Sequence, residues 1–153
     1  MLRVVVMASD GEEEIIRELC ADLLRLPVLG YIRSGSFAHF CGEYGLEDIW
    51  NACVAKVQHD NRMAENFEAY DDRYLGKILF HFVVALYDRK YADFVGMISR
   101  FLAGAYHHAR ERFPLTEFDQ DAVRNIESAL VELGNERSEI QEQFSGFSPK
   151  STL

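Results

Sequence analysis

Arg100 and His107 are the residues whose types and spacing best suit chemistry. Seven residues make two turns of an α-helix, so on a helix both side chains lie on one face, a guanidinium beside an imidazole. The plainer reading of the same spacing is a solvated arginine and histidine on the wet side of an amphipathic helix, and it is the favoured one. His81 lies in an apolar run with no carboxylate or nucleophile near it in sequence, which fits a neutral, hydrogen-bonded histidine better than a general base. Metal chemistry has no signature: Cys20, Cys41 and Cys53 are far apart, no His-Glu-x-x-His occurs, and adjacent His107 and His108 point about 100° apart on a helix. Neither a Gly-x-x-x-x-Gly-Lys loop nor a Gly-x-Gly-x-x-Gly fingerprint is present, so no nucleotide or other cofactor is expected.

Composition narrows the function classes further. The 153 residues suit one domain with a single core that needs no metal or disulfide staple. A net charge of −9 and a pI near 5.0 argue against a non-specific nucleic-acid surface or an anionic membrane surface, both of which call for clustered lysine and arginine. Three unclustered cysteines and the absence of a long apolar stretch in the first ten residues predict reduced thiols and a cytoplasmic location. The longest apolar run, residues 74–87, is too short to span a bilayer, so no membrane anchor is expected.

The elements that must position these residues read as helices. Residues 2–7 are apolar and β-branched, either a short strand or an extended arm. Ser9 and Glu12 have capping-box spacing, and Ile15, Ile16, Leu19, Cys20, Leu23 and Leu24 follow on one helical face until Pro27. Residues 30–45 interleave glycines with Tyr31, Phe37, Phe40 and Tyr44, and read at most as a short helix between loops. Leu46, Ile49, Trp50, Cys53, Val54 and Val57 restore the helical period, predicting a helix over 46–58. Residues 60–73 are polar and suit a solvent-facing helix or turn. Residues 74–87 carry only Lys77 and His81 as polar side chains before the closing tyrosine. A buried strand competes there, but a central helix wrapped by other elements is preferred.

Phe94, Val95, Ile98, Phe101, Leu102, Ala105 and Ala109 then mark a further core helix, closing at Phe113 before Pro114. Val123, Ile126, Leu130 and Leu133 mark the next, after Asp119, with Gly134 as its C-terminal cap. Residues 135–143 suit an exposed helix. The expected architecture is an all-α bundle of about six or seven helices around a central hydrophobic helix, one domain over 1–144 with a flexible tail over 145–153.

Two family resemblances bear on function. Tyr74-Leu75-Gly76-Lys77, followed by Ile78-Leu79-Phe80-His81-Phe82, resembles the first homology motif of the Bcl-2 family of apoptosis regulators, Asn-Trp-Gly-Arg and an apolar run, in the manner of divergent viral members. The glycine is identical and lysine stands for the arginine, which exchanges a bidentate fork for a point charge. The helix carrying Phe94, Ile98, Phe101 and Leu102 has the character of the next helix of that family. The second homology motif has no clear counterpart near residues 112–119, and no BH3-like helix is legible in 31–44. The resemblance implies a Bcl-2-like fold and a non-catalytic inhibitor of apoptosis that sequesters pro-death proteins. An amphipathic BH3 helix would be held in a groove by Trp50, Val57, Tyr74, Leu75, Gly76, Lys77 and Ile78, in the host cytoplasm if the chain is viral. The second resemblance is of Arg100 and His107 to the Arg-x(4–6)-His motif of HEPN ribonucleases, small all-α proteins that would act as dimers; the position after the arginine, usually polar there, is Phe101. An acidic helical interaction protein, such as a toxin-neutralising partner, is a third reading, and a homodimer is left open.

Overall fold

The chain is all-α. A computed structural model describes residues 9–63, 68, 71–89 and 91–147, with Tyr91 by its backbone alone; among these there are eight α-helices and no strand. The reading of residues 2–7 as strand or arm lies outside the described residues, as does most of the connection after residue 63.

Local signals account for most of the helix ends. α1 (Asp10–Leu23) starts at Ser9, whose side chain takes the Glu12 N–H while the Glu12 carboxylate takes that of Ser9, the reciprocal capping box. Glu12 also accepts the Tyr87 hydroxyl from the far end of the helix over Asp72–Arg89, and this bond, ahead of those to Ser9, holds its carboxyl below the usual value. α7 (Gln120–Glu132) starts on Asp119, whose carboxylate takes the N–H groups of Asp121 and Ala122. It ends at Gly134, whose φ of 95° permits a Schellman closure in which the Asn135 N–H reaches the Leu130 carbonyl.

Residues 30–45 hold two helices, α2 (Val28–Ile32) and α3 (Gly35–Glu43). Gly45, at φ 67°, ends α3 with the same closure, Leu46 N–H to Cys41 carbonyl, and α4 (Glu47–Asp60) follows at once. α4 thus starts one residue later than predicted and ends two later. α5 (Asp72–Arg89) is a helix, as preferred, and begins before Tyr74 because the Asp71 side chain takes the Arg73 N–H. α6 (Phe94–Arg112) stops ahead of Pro114 as read, although Phe113 is exposed. α8 (Arg137–Phe144) is exposed over most of its length, as read, but is anchored by burying Ile140 and Phe144. Ser145–Phe147, read as part of the tail, forms a 3-10 turn that packs Phe147 on Phe118 and Phe144, and the rest of that reading lies outside the described residues.

The helices form a closed ring. α4 packs on α5, α5 on α1, α1 on α7, α7 on α8, α8 on α6, and α6 on α2 and α3, with α3 returning to α4. Inside the ring Phe37 of α3 meets five rings, those of Tyr31, Phe40, Trp50, Phe82 and Phe101, most of them edge to face. Ser99, the one buried polar side chain among the described residues, donates to the Gln143 carbonyl and ties α6 to α8.

The helix enclosed on every side is the start of α6, where residues 94–99 are all buried. The expectation of a wholly wrapped helix over 74–87 is corrected. α5 buries Tyr74, Leu75, Ile78, Leu79, Phe82, Val83, Leu86 and Tyr87 but leaves Gly76, Phe80, His81, Val84 and Ala85 partly uncovered. The reason is that α1 and α4 pack on its two flanks and nothing among the described residues lies over the strip between them.

Phe37→Ala should cost about 3–5 kcal/mol, as an aromatic deletion in a filled core does, read as a lower urea midpoint with unchanged slope. Gly104→Ala should cost about 1–3 kcal/mol by overpacking, because an added Cβ would overlap the Tyr31 hydroxyl and ring, which Phe37 and Phe101 hold in place. Gly30→Ala, where a Cβ meets open space, is the matched control and should not destabilise.

Candidate functional site

The uncovered strip of α5 is the floor of a cleft. Arg17, Cys20, Ala21 and Leu24 of α1 form one wall, Val57, Asp60 and Asn61 at the end of α4 the other, with Gly76, Lys77, Phe80 and His81 between them around about 570 Å³. A smaller cleft of about 240 Å³, lined by Ile49, Cys53, Lys56, Val84 and Asp88 among others, adjoins it, and His81 lines both. The two therefore follow α5 from Gly76 to Arg89, about 20 Å at the helical rise.

The predicted site residues divide accordingly. Gly76, Lys77 and Val57 are brought together in the cleft. Tyr74, Leu75 and Ile78 do not line the cleft: they are buried in the core. Trp50, also buried, faces a different and larger cleft of about 790 Å³, whose lining includes Ile32, Arg33, Phe37, Cys41 and Glu47. At its rim Arg33 pairs with Asp72, and its lining residues Ile32, Phe37, Cys41 and Trp50 belong to the core.

Within the α5 cleft, the backbone at Gly76 is approached by Leu24 of α1, a residue read as core that is in fact 38% exposed. A Cβ on Gly76 would sit in ordinary contact, 3.5 Å from Leu24 Cδ1, so the glycine is not required by the internal packing. Lys77 is exposed, makes no ion pair with a described residue, and holds its ammonium 5.7 Å from the Tyr74 ring centroid. Arg17 lies over the Phe80 ring at 4.4 Å. Asp60, the carboxylate of the cleft, is bridged to Lys56 at 3.5 Å. On a chain of net charge −9, the cleft therefore presents two cations over an apolar floor.

Cys20 is closed to chemistry, its thiol pushed up to about 12 by burial. His81 is held below its usual value first by burial and then by Lys56, with Arg17 adding to the effect and Asp60 and Glu13 opposing it. Of the missed residues Arg17, Leu24 and Phe80, Phe80 had a signal in the sequence. A helix as apolar as 74–87 has more hydrophobic positions than one packed face needs, and Phe80, Val84 and Ala85 are that surplus.

The alternative catalytic pair does not converge. Arg100 is engaged by Asp93 at 2.8 Å and lies over Tyr44, whereas His107 is solvent-facing and pairs with Glu111 at 3.1 Å, one turn further along α6. Among the described residues no group of three or more His, Cys, Asp or Glu is placed to hold a metal ion, and no helix is long and apolar enough to cross a membrane.

The depressed His81 pKa has a stability consequence. The fold favours neutral imidazole, so its contribution is complete above the unfolded-state value of about 6.5 and is lost as pH falls from there toward the lower folded value. His81→Gln should flatten the fall in urea midpoint between neutral pH and about pH 5. Comparison with protein-family models, with curated proteins and with solved structures gives no match for this chain.

Proposed function

We propose that the protein is a non-enzymatic helix-binding protein that seats an amphipathic BH3-type helix in the α5 cleft and acts as a Bcl-2-like inhibitor of apoptosis. The observation that carries the reading is the uncovered strip of α5. Gly76 and Lys77, Phe80 and His81, and Val84 and Ala85 recur every four residues between two flanking helices, as the floor of a helix-sized groove would. An incoming helix with apolar anchors at i, i+3, i+4 and i+7 spans about 10 Å between its outer anchors, within the length of the cleft. Its apolar face would cover Phe80, Val84 and Ala85, which their own fold leaves wet.

Gly76 and Lys77 at the mouth of the cleft support the motif resemblance. Glycine keeps the floor low, and the lysine, which has no ion pair with a described residue, offers a cation to an acidic residue on the partner. Val57 belongs to the wall, whereas Tyr74, Leu75 and Ile78 are core and Trp50 lines the other cleft. The ribonuclease reading has less behind it, because Arg100 and His107 are held by separate carboxylates.

A fluorescein-labelled BH3-type peptide with those anchors and one aspartate should raise its anisotropy with a Kd in the tens of micromolar or tighter, and should bind about tenfold more weakly to Lys77→Glu. Absence of binding up to hundreds of micromolar would remove the reading.

A further inference from the structure

The lysine at position 77 leaves the cleft without the arginine fork that the motif would otherwise supply, but another arginine is present in the same place. Arg17 comes from α1, far away in sequence, and lines the cleft opposite Lys77. Its guanidinium carbon lies 4.4 Å from the centroid of the Phe80 ring, which holds the group over the groove floor. Among the described residues its one ionic neighbour is Glu14 at 3.9 Å, reached through Nε on an exposed stretch of α1, and its two terminal amino groups make no hydrogen bond with a described residue. Such a contact is weak and easily exchanged.

Resting on the helix-binding reading above, we infer that Arg17 is the residue that selects the occupant, binding a carboxylate of the incoming amphipathic helix through its two free amino groups while Lys77 adds a second positive charge. The chemistry favours arginine for this task. Its planar fork matches both oxygens of a carboxylate, its charge is permanent, and a guanidinium already stacked on a ring loses little freedom when it binds. Asp60, the carboxylate in the cleft lining, has Lys56 beside it at 3.5 Å. The occupant implied is a helix whose apolar stripe is flanked by an aspartate or glutamate, and a neutral or basic helix with the same stripe is rejected.

The test is a charge-swap cycle on the full chain with the labelled peptide and its aspartate-to-arginine counterpart. Arg17→Glu should weaken the acidic peptide about tenfold and Arg17→Lys about threefold, whereas the arginine peptide should regain most of its affinity on Arg17→Glu. Because Arg17 is exposed, the thermal midpoints of these variants should match the parent. Unchanged affinity in Arg17→Glu overturns the assignment while leaving the groove reading intact. A loss that the arginine peptide does not restore overturns it as well, since Arg17 would then act through packing on Phe80. Failure of the parent protein to bind the acidic peptide removes the groove reading and this inference together.

Discussion

The ring of Phe37 is the point on which the fold depends. Five other aromatic rings converge on it, contributed by α2, α3, α4, α5 and α6, and most arrive edge to face, the arrangement that places a positive ring edge on a negative ring face. A short helix such as α3 has little stability of its own. It exists because Phe37, Phe40 and Cys41 are buried by its neighbours, and in return it closes the ring of helices between α6 and α4.

That closure determines which helices are covered. α6 runs along the inside of α2, α3 and α8 and is enclosed over its first two turns, where even Gly96 and Ser99 are buried. α5 is clasped by α1 and α4 at its flanks, with its inner side against the aromatic centre, so its outer strip stays partly wet although it carries Phe80, Val84 and Ala85. The strip carries the cations Arg17 and Lys77 on an otherwise acidic molecule. The same packing places Leu24 over Gly76 and Arg17 over Phe80, so α1 helps form both the shape and the charge of the cleft.

Helix ends were largely legible from the residues alone. Ser9 with Glu12, Asp119 and Gly134 act through bonds that close within a few residues, and the periods of α1, α4, α6 and α7 likewise follow from the helical repeat. Residues 30–45 resisted reading because α2 and α3 are too short to display a period, and their glycines and aromatics suit loops equally well. The polar segment of α8 looked exposed because only Ile140 and Phe144 turn inward, two positions that no repeat announces.

By itself the sequence determined an all-helical chain, the starts and stops of most helices, and one helix with more apolar residues than a single buried face requires. All of these depend on contacts between residues three or four apart. Tertiary structure alone decided which side of α5 was left uncovered. Tyr74, Leu75 and Ile78 therefore became core and Trp50 went to another cleft, while Arg17 arrived beside Lys77 across 60 residues of chain. The physical reason is that a helix specifies the angles of its side chains about its own axis but not which of those angles its neighbours will occupy, and that choice follows from how the whole ring packs around Phe37.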